Sequence, residues 1–445
     1  MIDISPETIA IIMLGGLLVG VLTGYPLAPV IAGIALIVGY FTWGGHQVTH
    51  LFYSRMYELI RSYVILAAPL FIFMGLMLER SGIAEKLYNA LYLWLGGLRG
   101  GLAISTVLIG TILAACVGVI GASVTMLSLV ALPAMVKRGY DKALASGSIC
   151  AGGTLGILIP PSIMLVIYGP MAAISVGKLF MAAFMPGFVL SGLYCTYIAL
   201  TCLIKPQLAP AVPIADRAVP FLKRVTVLLT SLVPPVILVL AVLGSIFLGV
   251  APPTEAAAVG AFAAILLTIV YRRFSFNVLK ATAFETLRVT SKVMFIAVCG
   301  YMFTGIFLGL GCGDVVENLI LSAPMGRWGA FTFIMFVVFV LGMFIDWLGI
   351  VFIMVPIISP IVPHLGFDDL WFAMMVCVNL QTSFMTPPFA YAIFFLRGTA
   401  PPELGVTTAD IIRGVIPFVL LILIGLGLCI VFPEIILWLP GKMIK

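Results

Sequence analysis

Apolar residues along this chain come in blocks close to the length of a membrane crossing, separated by short polar interruptions. Blocks at about 7 to 23, 28 to 43, 63 to 80, 141 to 176 and 177 to 204 predict helical crossings, because about 20 apolar residues span the hydrocarbon core of a bilayer. The stretches 46 to 62 and 83 to 95 mix polar and apolar positions and predict amphipathic helices. The run 102 to 136 differs: two apolar arms of roughly 15 residues flank Gly118-Val-Ile-Gly-Ala-Ser-Val-Thr125, each short for a full span. A re-entrant hairpin with a polar tip fits that pattern and adds no net crossing.

The second half lies over the first. Pro133, Gly139, Tyr140, Asp141, Pro160 and Pro161 recur as Pro360, Gly366, Phe367, Asp368, Pro387 and Pro388, each displaced by 227 residues without a gap. The pattern P-x5-G-[YF]-D-x18-P-P thus occurs twice, as in a tandem duplication. The second copy predicts crossings at about 222 to 249, 254 to 271, 289 to 311, 369 to 396 and 410 to 438, with a hairpin at 328 to 363. Five crossings per half invert the second half relative to the first, the design of secondary transporters.

Composition closes off other classes. Of 445 residues, 63% are hydrophobic and 9% charged, whereas soluble domains carry roughly 25% charged residues. The fold class is therefore an all-α polytopic membrane protein. The longest polar interruption, the linker 205–224, is too short to bury a core of its own. The net charge of +6 reads as loop topology, and nucleic-acid binding is excluded. If the linker is cytoplasmic, the inside segments 79–100, 137–142, 205–224, 272–292 and 397–413 hold 17 of the 23 Lys and Arg residues, which puts both termini outside. Lys442 and Lys445 run against that assignment. All eight cysteines, Cys116 included, lie in apolar runs without metal or redox spacing and read as packing residues. The N-terminal MIDISPETIAIIML lacks a basic n-region and cleavage site, and its retention is expected.

The chemistry concentrates at matched positions. Pro160-Pro161-Ser162 and Pro387-Pro388 sit inside apolar runs, where proline removes a donor and breaks the helix. Carbonyls freed in this way must face protein, water or a cation. The hairpin tip offers Ser123 and Thr125, hard oxygen donors suited to sodium. Asp346, in the second tip, has 18 uncharged residues before it and 21 after, and reads as a cation ligand or proton site. Packing kinks, small-residue helix contacts and a water-facing carboxylate are the plainer alternatives. Thr254 is expected to cap the helix that carries Glu255 in its first turn. His46 and His50 lack a third metal ligand nearby. Lys178 and Lys442 follow glycine without the Ser or Thr of a phosphate loop, so energy must come from an ion gradient or another subunit. A channel remains open as a reading, while an enzyme lacks any paired catalytic group at depth.

Gly121-Ala-Ser-Val-Thr125, Pro133-x5-Gly139-Tyr140, Ala151-Gly-Gly-Thr-Leu-Gly156, Ile159-Pro-Pro-Ser162, Pro253-Thr-Glu-Ala-Ala257 and Thr386-Pro-Pro388 together resemble the large permease subunit of TRAP transporters, the tripartite ATP-independent periplasmic family, dicarboxylate type. The likeness runs end to end, with Gln381 standing where the first repeat has Thr154. It implies an elevator-type transporter in a bacterial inner membrane that takes up an organic acid with sodium. It further implies a small four-helix membrane subunit and a periplasmic solute-binding protein as partners. A stand-alone sodium/dicarboxylate symporter is the nearest rival. On this reading Ser123, Thr125, Gly152, Gly153 and Thr154 form one Na+ site, and Asp346, Gly349, Gln381, Thr382 and Thr386 a second. Substrate lies near Pro160, Pro161, Ser162, Pro387 and Pro388. Residues 1–100 and 177–327 are expected to be scaffold and arm helices, 101–176 and 328–400 transport-domain hairpins and broken helices, and 401–445 a scaffold helix.

Overall fold

The computed structural model describes residues 4–118, 120–213 and 219–443, and every regular element among them is helical. Val119 of the first tip, Arg217 of the linker, Lys445, the first three residues and the Cys116 side chain lie outside the described residues. The first half runs α1 (Pro6–Leu22), α2 (Leu27–Trp43), α3 (Gly45–Arg61), α4 (Ala67–Arg80), α5 (Ile83–Leu95), α6 (Gly101–Val117), α7 (Ile120–Val136), α8 (Lys142–Leu158), α9 (Ile163–Met171) and α10 (Val176–Ile204). The second runs α11 (Phe221–Phe247), α12 (Pro253–Val270), α13 (Phe276–Gly309), α14 (Cys312–Leu321), α15 (Gly326–Phe344), α16 (Trp347–Ile358), α17 (Asp369–Ser383), α18 (Tyr391–Thr399) and α19 (Thr408–Val431). A shift of 227 carries α2 onto α12, α6 onto α15, α7 onto α16, α8 onto α17 and α9 onto α18.

Among the described residues seven helices are long and apolar enough to cross a bilayer, and α8 with α9, bent by 43° at their break, makes an eighth. The repeat is inexact at α13. A crossing was expected from about 289, yet the helix starts at Phe276 and runs 34 residues unbroken. Its first-half counterpart is interrupted at Ser62, between α3 and the turn that leads into α4. No proline or glycine lies between 276 and 299, so nothing in α13 stops propagation. The final crossing is also shorter than expected, because Phe432 and Pro433 end α19. At α12 the cap is Pro252, and Thr254 is buried inside the first turn beside Glu255.

The packing sorts the helices into two groups. A framing group pairs α4 with α12 and α2 with α13, two contacts that the repeat exchanges, and adds α1 against α2 and α11 against α12. A hairpin group holds α6, α7, α15 and both broken helices, and α16 lies between the groups, packing chiefly on α13. Beside them, α10 packs on α6, α8, α17 and α19, and α19 packs chiefly on α8. The reason is a close crossing of two glycines. A Cβ on Gly147 would lie 2.1 Å from the Gly414 carbonyl oxygen, and one on Gly414 equally close to that of Ala143. Without side chains, the two backbones meet directly.

The duplicated P-x5-G-[YF]-D motif is the joint between hairpin and broken helix. Gly139 and Gly366 take the left-handed turn, with φ of 80° and 72°. The aspartates then cap the broken helices: Asp141 accepts from the Leu144 N–H at 2.9 Å and Asp368 from the Trp371 N–H at 2.8 Å. Between them the Tyr140 hydroxyl accepts from the Leu102 N–H at the start of α6, while Phe367 stacks on Trp371. Asp141→Ala and Asp368→Ala should each cost about 1 kcal/mol, a typical cap loss. Unfolding midpoints in detergent check this, with asparagine expected to restore most of the loss at either position.

Candidate functional site

Two of the breaks foreseen from Pro-Pro are present, and the protein itself satisfies the carbonyls they free. Pro161 cannot donate to the Ile157 carbonyl four residues back; the Ser162 hydroxyl donates to it instead. Pro388 leaves the Phe384 carbonyl, which accepts the Ala392 N–H of α18 at 3.0 Å. The Phe389 N–H in turn reaches the Met343 carbonyl at the end of α15 at 3.1 Å, tying the second break to its hairpin.

Around these breaks lies a cavity of about 450 Å³. The first residues of four helices line it: Ile120 of α7, Ile163 of α9, Trp347 of α16 and Tyr391 of α18. Each helix turns the positive end of its dipole there. The opposite wall belongs to the framing group, with Glu79 and Arg80 of α4 and Glu285 and Lys292 of α13. Asp346 stands at the N-cap of α16 and lines the same space. Its isolation along the chain is therefore not isolation in space. Both cations and both glutamates face the cavity that it faces.

The sequence-derived residues do not all share one place. Thr125 and Asp346 line the cavity. Ser123, Thr154, Gln381 and Thr382 are buried in the helix packing behind it. Thr154 donates to the Ala151 carbonyl, Thr382 to that of Asn379 and Thr386 to that of Thr382. The Ser123 hydroxyl and both amide atoms of Gln381 have no hydrogen-bond partner, which is uncommon for buried polar atoms. Gly152 and Gly153 serve close packing: a Cβ on Gly152 would meet Thr106 and Val107 of α6, and one on Gly153 would meet Val124 of α7. Gly349 instead packs on Leu27 of the frame. The proline pairs are unlike each other, Pro160 and Pro161 buried and Pro387 and Pro388 exposed, and neither pair lines the cavity.

Sequence reasoning missed three features. Ser383 is a buried hydroxyl without a partner, and it occupies the repeat position of Gly156. A Cβ on Gly156 would lie 3.0 Å from the Ser123 oxygen, and one on Gly342 would meet the Ser383 oxygen. The same place in each repeat thus holds a buried oxygen with spare bonding capacity. Adding 227 to 156 would have found it. Arg80 and Lys292 were read only as loop charges, and their bearing on the cavity depends on how α4 and α13 pack. Among the described residues no three His, Cys, Asp or Glu side chains gather as metal ligands, His46 and His50 included.

A family model described as "Tripartite ATP-independent periplasmic transporter, DctM component" matches residues 14–435. The C4-dicarboxylate TRAP transporter large permease protein DctM of Pseudomonas aeruginosa is 30% identical over 389 residues, 87% of this chain and 88% of that protein. The ectoine TRAP transporter large permease protein TeaC of Halomonas elongata is 28% identical over 433 residues, 97% and 98% of the two chains. Among solved structures, the YdaH transporter of Alcanivorax borkumensis aligns with a TM-score of 0.62 over 96% of this chain and 99% of that one. At 14% identity that is a likeness of fold.

The different settings of the two hydroxyls near the first break give a labelling test. In a background without native cysteines, a small hydrophilic thiol reagent should modify Thr125→Cys, on the cavity wall, while leaving the fully buried Ser162→Cys untouched. Equal labelling of the two would contradict the described cavity.

Proposed function

The chain belongs to the DctM component family of tripartite ATP-independent periplasmic transporters, and from that membership and the cavity we propose that it takes up an organic acid together with sodium. The observation that carries this reading is the convergence of four helix N-termini on one cavity between inverted halves. Fixed positive ends attract a carboxylate, the arrangement used where broken helices hold anionic substrates at membrane depth. A volume of about 450 Å³ suits a small organic acid. Arg80 and Lys292 add mobile positive charge on the facing wall.

Sodium, as co-transported substrate, calls for several hard oxygens and no thiolate or imidazole. The partnerless Ser123 oxygen supports a first site with Thr125, Thr154 and the backbone around Gly152 and Gly153. Gln381 and Ser383, with Asp346, Thr382 and Thr386, supply the oxygens of a second. With a cation bound beside it, Asp346 no longer repels an incoming carboxylate, so ion and acid bind together or poorly. The two packing groups suit an elevator, the hairpin group moving against the frame. Operation in the inner membrane with a small membrane subunit and a periplasmic binding protein follows the tripartite family pattern.

Reconstitution with both partner components tests the proposal. An imposed sodium gradient should drive saturable accumulation of the acid, and omission of the binding protein should abolish it. Uptake driven equally by a proton gradient alone would overturn the sodium assignment. Lys292→Gln should raise the half-saturating acid concentration by about tenfold, as expected from losing one charge-assisted contact. Asp346→Asn should reduce sodium-driven uptake at least as much, and a variant with unchanged sodium dependence would remove Asp346 from the coupling.

A further inference from the structure

Two short helices strap the framing group to the hairpins, one in each half. α5 packs on α4 and α11 of the frame and on α6 and α7 of the first hairpin. Its repeat mate α14 packs on α1 and α13 of the frame and on α15 and α16 of the second. Cys312, at the start of α14, donates to the Pro6 carbonyl of α1 at 3.5 Å, which secures the frame end of that strap.

The other end of each strap is clasped to the base of its hairpin, and the two clasps differ chemically. In the first half the Arg138 guanidinium lies over the Tyr92 ring of α5, 5.2 Å from its centroid. In the second, His364 Nδ1 lies 2.6 Å from Glu317 Oε1 of α14. His364 occupies the repeat position of Lys137, so a permanent cation on one face is matched by an imidazole on the other. Imidazole is the side chain whose charge ordinarily changes between pH 5 and 8. The only other histidines, His46 and His50, are on α3.

We propose that His364 and Glu317 form a proton-sensitive clasp, which grips the second hairpin more firmly as the solution bathing that face acidifies. When the ring is protonated the contact is a charge-assisted ion pair; when it is neutral only a weaker hydrogen bond remains. The surrounding charged groups have other positions or partners. Asp368 accepts the Trp371 N–H as a helix cap, and Arg327 of α15 lies over the Trp328 and Phe367 rings. Asp314 is one turn before Glu317 on α14, Asp369 opens α17, and Glu7 is in the first turn of α1. Carboxylates and guanidinium groups as classes keep their charge through the range in which imidazole titrates. With the His364 side chain 61% exposed and that of Glu317 28%, solvent screening limits the effect to about two- to fivefold in the opening equilibrium of the hairpin base.

Hydrogen exchange of the assembled transporter in lipid nanodiscs reads that equilibrium without requiring transport. Backbone amides at 359–368 are followed in wild type, His364→Asn, Glu317→Gln and His364→Lys at pH 5.5 and 8.0. Dividing each variant by wild type at the same pH cancels the intrinsic pH dependence of exchange. His364→Asn and Glu317→Gln should exchange about two- to fivefold faster than wild type at pH 5.5 and nearly alike at pH 8.0, the range set by exposed ion pairs. His364→Lys should be protected at both. If His364→Asn matches wild type at pH 5.5, or differs from it equally at both pH values, the clasp is overturned.

Discussion

Within hydrocarbon, every peptide N–H and C=O must find a partner inside the protein, and this constraint governs the whole arrangement. A helix can be interrupted at membrane depth only if the interruption is repaired locally. The Ser162 hydroxyl supplies the donor that Pro161 lacks, and the Ala392 N–H takes the carbonyl freed by Pro388. With those repairs in place, the second segment of each broken helix can begin in mid-membrane. The positive end of its dipole then faces the cavity. The cavity is thus walled on one side by helix ends and on the other by the charged residues of α4 and α13.

Duplication supplied the symmetry, and departures from it are where the two halves acquired separate roles. Pro160 and Pro161 are buried while Pro387 and Pro388 are exposed. Thr154 has a carbonyl partner while its mate Gln381 has none, and Gly156 faces a serine whereas Ser383 is one. The hairpin tips differ likewise, small and hydroxylated in one, acidic in the other. A strictly symmetric pair of sites would have the same affinity twice over. The proposed pair offers neutral oxygen donors in one repeat and a carboxylate with an amide in the other.

Much of the fold was legible because the bilayer imposes length and polarity rules that act locally. Spans, hairpins, both helix breaks and the displacement of 227 residues could be read by eye. What could not be read depended on contacts between distant segments. Asp346 has no charged neighbour along its own hairpin, yet it shares a cavity with Lys292 and Arg80 because α13 and α4 form the facing wall. Gly152 and Gly153 suggested ion ligation by their position near the break, whereas their missing side chains let α6 and α7 approach α8. The packing of α19 on α8 was illegible for the same reason, since a glycine pair is invisible until both helices are placed. The continuity of α13 was missed because its polar first turns resemble an interfacial helix, and only the lack of a breaker shows otherwise.

The crossing of Gly147 with Gly414 also bears on how the protein is made. These residues are 267 positions apart, in opposite repeats. A nascent chain that has inserted only its first half therefore carries an α8 whose glycine face is still uncovered. Assembly must wait for α19 to leave the ribosome before the earliest broken helix can settle against its final neighbour. Duplication thus produced two copies whose broken-helix packing is completed only across the repeat.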